Sequence, residues 1–233
     1  MNASTTARAV ARRELTLAIT TEARRQIARH GADGLSLRAV ARELGMASSA
    51  LYRYFPSRDD LLTALIVEAY TALGDVLEAA DARVDRGDPT GRWLAVCRAA
   101  RDWARRHPHE YALLYGSPVP GYRAPRDTID PAARIPFALF GPLRDGWRAG
   151  LVASRDDGPL TPALSRQLGG LAADIAPDLP PVTIGAAIRA WIQLFGMISF
   201  ELFGHLVGSV DPADEFFDHE IIAMAARLGL PTP

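Results

Sequence analysis

Apolar residues recur along this chain at helical spacing almost from end to end. Leu15, Ile19, Ala23 and Ile27 step by four, which predicts a helix over about 13–30, and Gly31 stands where such a helix would be capped. Ser36 can cap a second helix over about 37–44, Gly45 supplies a turn, and a third helix is expected over about 48–54, ended by Pro56. Ser57-Arg-Asp-Asp60 is a variant of the capping box and opens a long helix, about 58–83, with Leu61, Leu65, Ala69, Ala72, Val76 and Ala80 on its inner side. Further helices are expected over about 89–106, 108–115, 131–149, 161–175, 181–207 and 212–229. Pro136 and Pro142 should kink or split the 131–149 helix, a loop is expected at 153–163, and residues 1–12, polar and alanine-rich, read as flexible. No alternating run with a hairpin turn appears, so the expected fold is all-α.

Charge divides the chain. Residues 1–58 hold ten arginines against four acids, whereas residues 59–233 hold sixteen arginines against twenty-three acids. A basic head on an acidic body suits a partner of high negative charge. Lysine is absent. The single cysteine, Cys97, excludes an internal disulfide. There is no signal-peptide pattern, and the uncharged run Ala190–Phe200 is shorter than the roughly 20 residues that span a bilayer, so 181–207 reads as a buried helix and the expectation is a cytoplasmic protein without membrane contact.

The head carries the candidate chemistry. In the third helix Leu51 and Phe55 share one face and should pack on Val40, Ala41 and Leu44, leaving Ser48, Ser49, Tyr52 and Arg53 outward, with Tyr54 beside them. Hydroxyls and guanidinium groups on one exposed face suit phosphates and base edges, and small Ala47 and Ser48 at the helix start let it sink into a major groove. Ser36 and Arg38 at the start of the second helix can take another phosphate, and Arg58 is expected to clamp the backbone from the other side. By contrast, no Gly-x-Ser-x-Gly, phosphate loop or Rossmann glycine pattern is present, and His107 and His109 lack a third metal ligand at helical spacing; neither catalysis, a metal nor a cofactor is expected.

The run Leu35 to Leu62, with Val40, Ala41, Leu44, Gly45, Leu51, Tyr52, Tyr54, Phe55, Ser57, Asp60 and Leu61 at its signature positions, resembles the DNA-binding signature of the tetracycline-repressor family. Arg58 stands where that family usually has lysine, and Leu37 where threonine is common. The resemblance implies nine or ten helices: a DNA-binding head, 1–58, and an effector-binding and dimerisation domain, 59–233. It implies a homodimer on a palindromic operator, released by a small effector; a regulator gated by a protein partner is the alternative. Trp191-Ile-Gln-Leu-Phe195-Gly196 is similar to the Trp-x-x-x-His-Gly pattern of one C-terminal subtype, with phenylalanine in place of histidine. Candidates to line a pocket for an apolar or aromatic effector are Trp103, Tyr111, Tyr115, Trp147 and Gln193. The last two helices are expected to pair across a two-fold axis through Ile188, Trp191, Ile192, Phe195, Ile198, Phe217, Ile221, Met224 and Leu228.

Overall fold

A computed structural model describes residues 3–153 and 158–231, with side chains from residue 7. Among these residues all regular structure is helical, in ten α-helices and two short 3-10 turns. The chain divides into two compact units, residues 1–69 with 108–129, and residues 70–107 with 130–233. That division differs from the expected boundary at 58, because α6 returns to the first unit and packs on α1.

In the first unit α1 (Ala3–His30) is followed by a 3-10 turn, α2 (Leu37–Glu43), α3 (Ser48–Leu51) and the opening turns of α4 (Arg58–Ala82). α6 (Pro108–Tyr115) belongs to the same unit. α1 begins ten residues earlier than expected, since its alanine-rich start favours helix rather than coil; residues 1 and 2 of the stretch read as flexible lie outside the described residues. The amide of Gly31 closes α1 by donating to Ile27 O at 2.8 Å, with φ at 73°, a conformation that costs a side-chain-bearing residue more than glycine. Gly45 (φ 64°) turns the chain between α2 and α3 in the same way. Ile19, Ala23, Leu35, Val40, Ala41, Leu51, Leu61 and Leu65 form the core. α3 is shorter than expected: residues 52–54 form a turn, because Pro56 disfavours helical geometry in the residue before it.

The second unit holds the rest of α4, with α5 (Pro89–Arg106), most of α7 (Ile129–Arg148), α8 (Pro162–Ile175), α9 (Pro181–Leu202) and α10 (Asp214–Arg227). Asp88 caps α5, accepting from the Gly91 amide at 2.7 Å, with Pro89 at the first helical position. α7 is unsplit despite Pro136 and Pro142. α9 stops at Leu202, before Gly204 (φ 78°), rather than at 207. α5, α9 and α10 pack on one another, and the buried Trp93 indole donates to Ile221 O at 3.0 Å. Among the described residues α9 alone is long and apolar enough to cross a bilayer by length and composition. Its Ile184, Leu194 and Ile198 are buried in the unit's core. Residues 154–157 of the loop expected at 153–163 lie outside the described residues.

Candidate nucleic-acid interface

α3 has four residues, too few to stand alone, and is tied down by one buried side chain, Leu51, with Phe55 following. Around that anchor Ala47, Ser48, Ser49, Tyr52 and Arg53 are exposed, Tyr52 at 44%. Ser36 starts α2: its backbone is extended and its hydroxyl accepts from the Ala39 amide at 3.4 Å, while Arg38, two residues on, is exposed in the first turn. The structure therefore brings the hydroxyl, phenol and cation groups of the second and third helices to the outside of the head, with apolar partners beneath. Such a surface can donate several hydrogen bonds to anionic oxygens and offers little to an apolar ligand.

Two of the expected contacts are placed differently. Arg58 is turned into the protein: its Nη2 donates to Ala32 O at 2.9 Å and Asp33 O at 3.4 Å, and its Nε donates to Leu35 O at 3.3 Å. Asp59 lies 3.8 Å from its Nη1. It staples the 31–36 linker that presents α2 instead of reaching out as a phosphate clamp, because three carbonyls of that linker end within reach of its fork. Tyr54 is half-buried, with the Arg12 guanidinium 5.2 Å from its ring centre. The capping box at Ser57 is present: Ser57 Oγ accepts from the Asp60 amide at 3.1 Å and donates to the Asp60 carboxylate at 2.7 Å. Arg12 itself escaped the sequence reading; the signal for it is a start of the chain with Arg8, Arg12 and Arg13 and no acid before Glu14.

Two of the five pocket candidates belong to the first unit and three to the second. Tyr111 is buried against Tyr115 on α6 in the first unit, ring centres 5.2 Å apart. Trp103 is buried beside His107 in the second unit, 5.3 Å between centres. Trp147 is half-buried, and Gln193 spends its amide on the Glu220 carboxylate at 2.9 Å. A cavity of about 270 Å³ in the first unit is lined by none of the five, but by residues of α1, the 31–33 turn, α6 and Ser117–Val119.

The expected dimer face is corrected in six of its nine residues. Phe195, Ile198, Phe217, Ile221, Met224 and Leu228 are buried in the chain's own second unit, where α9 packs on α8, α5 and α10, and α10 on α5 and α9. Ile188 and Trp191 are half-buried, Trp191 edge-on to Phe140, and Ile192 is 66% exposed. Phe200, Phe203, Val207, Phe216 and Ile222 are further exposed apolar residues on and beside α9 and α10.

Residues 19–65 match a family model described as bacterial regulatory proteins, tetR family, and residues 93–224 match a tetracyclin repressor-like C-terminal domain. Neither description names the Trp-x-x-x-His-Gly subtype. The HTH-type transcriptional regulator Rv1816 of Mycobacterium tuberculosis is 41% identical over 200 residues, 83% of each chain. The HTH-type transcriptional repressor DrrR1 of Streptomyces coeruleorubidus is 38% identical over 112 residues, 46% of this chain and 38% of its own. The crystal structure of the putative regulatory protein SCO4313 is similar with a TM-score of 0.77 and 32% identity, covering 92% of this chain and 97% of that one. A Rhodococcus sp. RHA1 protein of unknown function shares the fold, with a TM-score of 0.70 at 23% identity.

Proposed function

The chain belongs to the tetracycline-repressor family and is a transcriptional regulator, and from that premise we propose that it is a homodimeric repressor which holds a palindromic operator through α2 and α3 and releases it on binding a small effector. The observation that carries the DNA contact is the reading surface itself: Ala47, Ser48, Ser49, Tyr52 and Arg53 exposed around one buried anchor. Tyr52 and Arg58 separate the two kinds of residue in the head. Tyr52→Ala removes a group from the surface and should weaken operator binding about tenfold through a lost hydrogen bond to a charged partner. Arg58→Ala should weaken it by loosening the linker, with the slope of log K against log salt unchanged, since its donors are already taken by carbonyls. A gel-shift series over salt concentration decides; a slope that falls by about one unit per head in Arg58→Ala would return that arginine to the DNA.

The dimer reading is supported by the apolar residues left outward on α9 and α10, Ile192, Phe200, Phe216 and Ile222, with Val207 close by in sequence. An Ile192→Glu and Phe200→Glu double variant should elute as a monomer and sediment at half the wild-type mass. A double variant that stays dimeric in light scattering refutes the proposed face. Release needs differential affinity: an effector that lowers operator affinity 100-fold carries about 2.7 kcal/mol of coupling. The unbroken α4, with its first residue gripping the 31–36 linker, supports a mechanical route for that coupling. No catalytic role is part of the proposal, and its setting is the cytoplasm.

A further inference from the structure

α1 is 28 residues long, about 42 Å at 1.5 Å per residue, but its fully buried positions begin only at Ile19. Every described residue from 7 to 14 is exposed. These turns therefore receive little of the packing that stabilises most helices in proteins. Their charge is one-sided, with Arg8, Arg12 and Arg13 and no acid until Glu14.

Direction follows from helical register. Arg8 and Arg12 are four apart, and Thr16, Ile19 and Ala23 continue the same side of the helix; Ile19 and Ala23 are buried in the head. Arg8 and Arg12 thus extend the side of α1 that meets the head, beyond the point where the head ends. The Arg12–Tyr54 contact confirms this, since Tyr54 directly follows the outward Tyr52 and Arg53. Exposed Val10 and Leu17 lie on the opposite side. One turn outward from Arg12, about 6 Å along the axis, stands Arg8.

We propose that the N-terminal turns of α1 form a second DNA contact, in which Arg8 and Arg12 bind backbone phosphates flanking the half-site presented to α3. The proposal rests on the reading of the head as a DNA-binding surface. Tyr54 acts as a positioning residue: its ring holds the Arg12 guanidinium on the reading side, leaving the edge N–H groups for a phosphate. The contact is sequence-independent, so it lengthens the footprint without changing the preferred bases.

The test uses the full chain and DNA fragments selected by it from a random pool. In an Arg8→Ala, Arg12→Ala double variant the salt slope should fall by about two units per head, at about 0.9 per phosphate released, with binding at 0.1 M salt weaker by on the order of 10- to 100-fold per head. Hydroxyl-radical protection should retract from the outer flanks of each half-site while the central protection persists. The Arg8→Lys, Arg12→Lys variant should keep the wild-type slope. Alanine favours helix, so the variant should retain its fold, and circular dichroism checks that. A wild type that selects no DNA overturns the underlying reading and the arm with it. A wild type that binds, beside a double-alanine variant of unchanged slope and footprint, overturns the arm alone.

Discussion

Replacing Arg92 by alanine is expected to destabilise the second unit by about 3–5 kcal/mol, the usual cost of breaking a buried ion pair from one side. Arg92 is 1% exposed. Its Nε and Nη2 donate to the two oxygens of Asp81 at 2.8 and 3.0 Å, and Nη2 also donates to Asp145 at 3.0 Å. Burial alone would pull the Arg92 pKa down; the bonds to Asp81 and Asp145 outweigh it and hold the pKa above its ordinary value. Alanine leaves a void where the guanidinium lay and removes the buried partner that the two carboxylates share, with Asp81 kept only by the exposed Arg86 and Asp145 by Arg144 and Arg86. The wild-type arrangement is itself imperfect, since Arg92 Nη1 is buried without a partner. An apolar replacement of the whole set would therefore be far less damaging than removal of one member. All four tryptophans, Trp93, Trp103, Trp147 and Trp191, lie in the second unit, so their fluorescence follows its unfolding. For a chain of this size the expected loss corresponds to a fall in melting temperature of roughly 10 °C.

The pH dependence has a defined sign. Burial alone would raise the Asp145 pKa, but its bonds to Arg92 and Arg144 prevail and lower it. A depressed carboxylate contributes stability above its unfolded pKa of about 3.9 and loses that contribution as pH falls toward the folded value. The gap between wild type and Arg92→Ala should therefore narrow below about pH 4. A gap that is constant down to pH 3, or a variant within 1 kcal/mol of wild type at pH 7, contradicts the proposed weight of this cluster.

The helices whose ends carry local signals were legible in the chain. Asp88 and Pro89 start α5 where they stand, Gly31 ends α1, and Gly45 makes the turn of the head, because capping and positive φ are decided within a few residues. The candidate reading surface was legible for the same reason: Leu51 and Phe55 go in, and Ala47, Ser48, Ser49, Tyr52 and Arg53 come out, while Tyr54 stays half-buried. What depends on distant partners was not. Hydrophobic period marks which residues of α9 and α10 are apolar, but the packing of α5 and α8 against them decides which are covered, and Ile198, Phe217 and Ile221 are buried within the chain itself. Arg58 shows the same limit for charge. Its position at the start of α4 suits a phosphate contact, yet the carbonyls of Ala32 and Leu35, more than twenty residues away, claim it. The early start of α1 was missed because an exposed, alanine-rich stretch has helix propensity but no apolar period to announce it.

Leu51→Ala should abolish most operator binding while leaving the second unit intact. Leu51 is fully buried and is the only buried residue of α3. Truncation removes three carbons, a methine and two methyls, from a packed core, a loss of about 2–5 kcal/mol for leucine to alanine. The loss falls on the one element that cannot compensate. α3 is a single turn with no side-chain cap at Ala47, so its own hydrogen bonds do not hold it once the anchor is gone. The outward groups Ser48, Ser49 and Tyr52 take their direction from that anchor. Their joint presentation becomes a minor state, and apparent affinity falls by the fraction that remains competent. A cost of about 2.7 kcal/mol at the reading surface corresponds to a 100-fold weaker complex. Leu51→Ile, which keeps the volume, should cost less than about 1.5 kcal/mol. The informative experiment pairs a gel shift with tryptophan fluorescence at 25 °C. A weakened complex with unchanged emission places the defect in the head, whereas a Leu51→Ala variant that shifts operator DNA like the wild type would mean that α3 is oriented by something other than its buried leucine.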